Sequence, residues 1–170
     1  MSRMASSSSL EITVISAEGL RLGRHSIRKN AFAIVQTDSR NSRSTKMDTE
    51  GGSYPSWNEK LALELPNNAH IVTVQVQCKT SSGDRTVGTA KIPVSDFIGD
   101  YTPAHYLHFL SYRLREHDGE RNGIVNLSVR VKEAHYVDCL SRPWLGAQRP
   151  CLGVGDGENN SVGIVTGVPA

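Results

Sequence analysis

Between Gly19 and Thr37 the chain has no acidic residue, and the same stretch holds Arg21, Arg24, His25, Arg28 and Lys29. Leu20, Leu22 and Ile27 are interspersed among them. Guanidinium and ammonium groups attract phosphates, and neighbouring aliphatics can enter an acyl boundary, so this stretch has the chemistry expected of an anionic phospholipid surface. Each basic residue near such a surface contributes about 1 kcal/mol at most, so four amount to roughly 4 kcal/mol, or about three decades of affinity before salt screening. The competing reading is an ordinary solvated loop. A second basic cluster, Arg40, Arg43 and Lys46, is sparser. Alternate strand residues face opposite ways, which separates Arg43 from Lys46, and a solvated sheet face accounts for them better than an anion groove.

Other chemistries find no support. There is no Gly-x-Ser-x-Gly nucleophile elbow. His105 and His108 are three apart near an expected strand, a spacing that sends side chains to opposite faces and does not make a metal pair. Gly153, Gly155 and Gly157 follow no strand and form no dinucleotide loop. The three cysteines, Cys78, Cys139 and Cys151, are odd in number and widely spaced, which fits reduced thiols better than a disulfide frame or a zinc site. Aromatic residues do not interleave with a basic strand face, and nucleic acid is not an expected partner. No stretch approaches the ~20 apolar residues of a membrane span, and the Ser-rich start has no signal-peptide core. A net charge of +2 is too small to act globally, so any anion binding must come from local clustering. The expectation is a binding module, not an enzyme.

The elements that must position these residues are strands. Leu10, Ile12 and Val14 alternate with polar neighbours, and Ala31–Gln36 is apolar on both faces. Ser42–Met47 is a polar third strand, and residues 58–65 form a fourth after the Gly51–Pro55 turn. Val72, Val74, Val76 and Cys78 give the clearest period of two. Strands near 86–92, 106–113 and 125–131 complete the set, with a short helical turn at Pro93–Phe97. Residues 17–29 read as a mobile loop. Eight short strands separated by regular turns predict an all-β fold, an eight-stranded antiparallel β-sandwich with its functional loops gathered at the ends. The expected organisation is a flexible N-terminus (1–8), a folded domain (9–133) and a largely disordered, flexible tail (134–170). The tail is rich in Gly, Pro, Asn and Ser, and its apolar run Val162–Pro169 could dock a partner.

The turn Gly51-Gly-Ser-Tyr-Pro-Ser-Trp57-Asn-Glu-Lys60 resembles the Asn-Pro-x-Trp-Asn-Glu segment of C2 domains. Leu10–Leu20 is similar to their first strand and loop, and Val87–Phe97 to their sixth strand. Gly51–Trp57, Leu110–Arg115, Gly123–Asn126 and Val165–Pro169 more closely resemble the small plant C2 proteins associated with BONZAI copines. That resemblance implies phospholipid binding, a BONZAI-type copine as partner, and a cytoplasmic protein lying peripherally at the plasma membrane. It further implies restraint of defence responses and programmed cell death. The alternative is a purely protein-binding C2 module that has lost lipid and calcium binding.

The resemblance also indicates where calcium ligands would lie. The first-loop aspartates map near Arg24 and at Asn30, and those of the later loop at Cys78, Thr80 and about Arg85. Asp84 is one position early, and a one-residue loop shift would rescue it. Calcium needs six to eight oxygen ligands, mostly carboxylates, so one acid beside Arg24 and Arg85 makes a degenerate site. No tightly bound cofactor is expected, and calcium binding should be weak. The lipid-binding set is therefore Leu20, Arg21, Leu22, Arg24, Ile27, Arg28, Lys29 and Arg85. Arg40, Arg43 and Lys46 are the residues a phosphoinositide groove would use, with a solvated sheet face the favoured reading.

Overall fold

A computed structural model describes residues 7–132. The strands are β1 (Ser7–Glu18), β2 (Arg21–Leu22), β3 (His25–Ser26), β4 (Ala31–Gln36), β5 (Ser42–Ser44), β6 (Ser56–Pro66), β7 (Ile71–Thr80), β8 (Gly83–Pro93), β9 (His108–Arg115) and β10 (Arg121–Lys132). A single 3-10 turn, Val94–Asp96, occupies the expected helical spot. The expected tail and the docking run Val162–Pro169 lie outside the described residues.

Alternation sets the faces. In β1 the side chains of Leu10, Ile12 and Val14 are buried, and in β7 those of Val72, Val74, Val76 and Cys78. A bulge between Val14 and Ser16 inserts one unpaired residue in β1, so burial resumes at Ala17 rather than at Ser16. Eight strands pair antiparallel in the order β5-β4-β7-β8-β9-β10-β1-β6. The β8–β9 link is the single pair Thr89↔Arg115, which divides the order into two leaves, β5-β4-β7-β8 and β9-β10-β1-β6. Their inner faces share one core, with Val35, Val74 and Ile92 from the first leaf and Ile12, Leu114 and Leu127 from the second. Across the leaves, the Trp57 indole donates to the Ala31 carbonyl at 3.1 Å. This is the sandwich expected from the strand pattern.

Strand ends shift by a few residues, the expected third strand stopping at Ser44 and not at Met47, and two further differences bear on the site. Ser7 and Ser8 already pair with Pro66 and Leu65, so the sheet begins inside the segment expected to be flexible. The mobile loop expected at 17–29 is instead the end of β1 followed by a two-rung hairpin, Arg21↔Ser26 and Leu22↔His25. Gly23, at φ 66°, makes its turn. The hairpin is too short to leave a periodic signal.

Candidate functional site: a cationic cleft at one end of the sandwich

The hairpin is fastened from below. Leu20 is 0% exposed and Ile27 6%, both within the core, and Leu22 packs against it. The expectation that Leu20 and Ile27 reach a lipid interface is therefore corrected, since burying them in the core anchors the hairpin, whereas Leu22 is half-buried and lines the cleft. At the hairpin's root, the buried side chain of Asn122 accepts from the Arg21 N–H at 2.8 Å and donates to the Arg21 carbonyl at 2.7 Å. The Arg21 side chain turns toward the Arg121 carbonyl, 3.5 Å away.

The loop between β5 and β6 braces the hairpin from the side. The Ser53 carbonyl accepts from the Leu20 N–H at 3.1 Å, and the Ser53 hydroxyl accepts from the Ile27 N–H at 3.0 Å. Asp48 shapes that loop, its carboxylate accepting from the N–H groups of Glu50, Gly51 and Ser56 at 2.7–2.8 Å. These bonds, led by that from Ser56, hold the Asp48 carboxyl below its ordinary range.

Between the hairpin and the β7–β8 turn lies an open cleft of about 710 Å³. His25, Arg28, Lys29, Lys79 and Arg85 line it, with Leu22, Ile27, Asn30, Cys78 and Thr80, and no carboxylate is among its lining residues. The ion pairs among the described residues all converge on Glu11, which meets Lys60, Arg130 and Lys132 at 3.4, 3.7 and 2.8 Å. None of the cleft cations is engaged in one of them. Arg24 is exposed at the hairpin tip, and neither it nor Arg21 lines the cleft.

The positions expected to hold calcium ligands, Asn30, Cys78 and Thr80, lie in the cleft lining. Cys78 pairs with Arg85 and Lys79 with Asp84, so Asp84 sits beside Lys79 and not beside Cys78, although its charge still reaches the Cys78 thiol and it flanks the cleft without lining it. The turn between them is two residues long, closed by Gly83 at φ 116°, and the one-residue shift that would bring Asp84 inward does not occur. Burial raises the Cys78 thiol's pKa, leaving it protonated and a poor hard-cation ligand. Among the described residues no three His, Cys, Asp or Glu side chains converge as a metal site. Asn30, Cys78 and Thr80, the positions expected to carry calcium ligands, contribute no carboxylate to the cleft.

The second basic cluster splits. Arg40 and Arg43 line a groove of about 250 Å³ with Ser9, Asn41, Ser42 and Glu64, but Lys46 is not part of it. The Lys46 backbone N–H donates to the Glu59 carboxylate at 2.7 Å. With Glu64 in the lining and one fewer cation than expected, this groove carries less positive charge than the cleft.

A family model, "C2 domain", matches residues 8–109. The chain belongs to the C2 domain family. As a C2 domain it is 46% identical over 128 residues to BON1-associated protein 2 of Arabidopsis thaliana, covering 73% of this chain and 61% of that protein. It is 26% identical over 143 residues to Protein SRC2 homolog of the same organism, covering 79% of this chain and 44% of that one. The chain thus spans 44% to 61% of the length of these relatives. Among solved structures, a C2 domain of plant Extended Synaptotagmin 1 superposes with a TM-score of 0.61 at 15% identity, covering 78% of this chain and 98% of that one. The paired C2 domains of Extended-Synaptotagmin 2 give 0.58 at 16% identity, with 76% and 40% covered. At such identities these two matches speak for the fold.

Sequence reasoning had not counted Lys79 in this C2 site. It reads as one polar position in an alternating strand, and only the location of the β7 end beside Asn30 puts it in the cleft. Asn122 reads as turn punctuation, yet its buried amide ties the hairpin to β10.

Proposed function

We propose that this chain is a membrane-docking C2 adaptor whose cleft receives the phosphate of an anionic phospholipid, with no obligatory calcium bridge. The observation that carries this is the cleft lining: five basic side chains at the end where this family gathers its loops, with no acid among them. A phosphate bridging Arg28, Lys29 and Arg85 replaces the charge balance that a divalent ion and carboxylates would otherwise provide. Similarity to a BON1-associated protein supports a copine as the protein partner. Together they support a peripheral position on the cytoplasmic face of the plasma membrane and a non-catalytic role. The resemblance to the copine-associated C2 proteins extends the reading to restraint of defence responses and programmed cell death.

Sedimentation with phosphatidylserine–phosphatidylcholine vesicles tests the docking mode across a salt series, with calcium and with chelator. Binding should persist in chelator and fall steeply with salt. Arg28→Glu with Arg85→Glu should weaken it about tenfold to a hundredfold, since each reversal removes about 1 kcal/mol of attraction and adds repulsion. Arg24→Glu, outside the cleft, should cost less. Loss of binding in chelator, or indifference to the double reversal, refutes the proposal. Capture of a purified copine by the double variant would place the partner surface elsewhere on the domain, while failure of the wild type to bind vesicles leaves a protein-binding module.

A further inference from the structure

With Leu20 and Ile27 in the core, the basic hairpin offers charge to a membrane but little that can enter it. A different residue is placed to do so. We propose that Tyr54, in the loop between β5 and β6, is the aromatic anchor that enters the lipid interface beside the cationic cleft. This rests on the membrane-docking reading of the cleft.

Tyr54 is 68% exposed, although the loop beneath it is held on every side. The Tyr54 N–H donates to the Gly51 carbonyl at 2.9 Å, closing a four-residue turn. Pro55, the next residue, is buried. A carbon added at Gly51 would lie 2.6 Å from both the Asp48 carboxylate and the Pro55 backbone, so the turn is closed tightly over its own cap. The loop also shares the cleft's rim. Gly52 has φ +59°, and a carbon added there would lie 3.0 Å from the Ile27 carbonyl and 3.3 Å from that of Arg28. The backbone carrying Tyr54 is thus pressed against the backbone carrying a cleft cation.

A large side chain exposed on a floppy loop needs no explanation. One displayed by a rigid, capped turn beside a phosphate-binding cleft is already ordered, so inserting it does not require ordering the loop. A phenol also suits the headgroup boundary, with an apolar ring for the acyl side and a hydroxyl for the wet side. The cations draw the domain to the surface and the ring adds a component that salt does not screen.

The test uses Tyr54→Trp, Tyr54→Ala and Tyr54→Phe in the full chain, with equal parts of phosphatidylserine and phosphatidylcholine, the latter carrying brominated acyl chains. In Tyr54→Trp, the emission beyond that of the two native tryptophans should shift to the blue and be quenched on vesicle binding. Tyr54→Ala should bind about fivefold more weakly, the scale of one partly inserted ring, and Tyr54→Phe should stay within about twofold. The melting temperature should be unchanged in all three, because the ring is exposed. Unquenched Trp emission in a variant that still sediments, together with undiminished binding by Tyr54→Ala, overturns the anchor while leaving the cleft reading intact. Failure of the wild type to sediment overturns both.

Discussion

Replacing Asn122 by alanine should cost the domain about 3–5 kcal/mol, more than most single substitutions at a loop. The side chain is 1% exposed. Its oxygen accepts from the Arg21 N–H at 2.8 Å, and its nitrogen donates to the carbonyls of Arg21 and Val87 at 2.7 and 2.9 Å. A further, longer approach runs to the Glu116 carboxylate at 3.2 Å. Three short bonds at about 0.7–1 kcal/mol net each, plus about 1–2 kcal/mol for a partly buried N–H left without an acceptor, give that total. For a domain of this size each kcal/mol moves Tm by about 3–5 °C, so thermal melts should show a drop of roughly 10–20 °C. Asn122→Asp keeps the shape and the acceptor but loses both donors. It also brings a second carboxylate beside Glu116, so it should be at least as damaging at neutral pH. Denaturant titration checks the free energy independently of the heat. A loss below about 1 kcal/mol for Asn122→Ala would mean that water replaces the amide and that the hairpin is held by Leu20 and Ile27 alone, refuting the reasoning.

Ile27→Ala should destabilise the fold by about 2–4 kcal/mol in denaturant titration, as expected for a truncated core residue and not for a surface loop. Acid should weaken the domain through Asp48 and Glu11. Both carboxyls are held below their ordinary values of 3.8 and 4.5, Asp48 chiefly by the Ser56 N–H and Glu11 chiefly by Lys132. A folded-state pKa below the unfolded one gives stability that is fully present above the unfolded value and disappears as pH falls through the folded value. Asp48→Asn should therefore be less stable than the wild type at pH 7, and the two should converge as pH falls below the ordinary carboxyl value of 3.8 and through the lower folded one in pH-dependent urea melts.

The strand framework was legible because burial imposes a period of two: Val72, Val74, Val76 and Cys78 read as one buried row and are one. The cleft was only half legible. Charge is visible in sequence, so Arg28, Lys29 and Arg85 could be picked out. Direction is not, and the aliphatics between them have the same composition whether they face lipid or core. Leu20 and Ile27 turned inward because a two-rung hairpin without buried anchors would not persist. Lys79, Asn122 and Tyr54 gained their places only from neighbours far along the chain, such as Asn30, Arg21 and the Ile27–Arg28 backbone.

The position of β10 between β1 and β9 has a consequence for how the molecule is made. A ribosome delivers β1 first and β10 about a hundred residues later, and β1 has only β6 beside it in the interval. The second leaf cannot close until Lys132 has left the exit tunnel, so nascent chains carry an open, greasy strand edge through most of synthesis. Premature stops anywhere before β10 should yield aggregation-prone fragments that chaperones retain, not partly working domains.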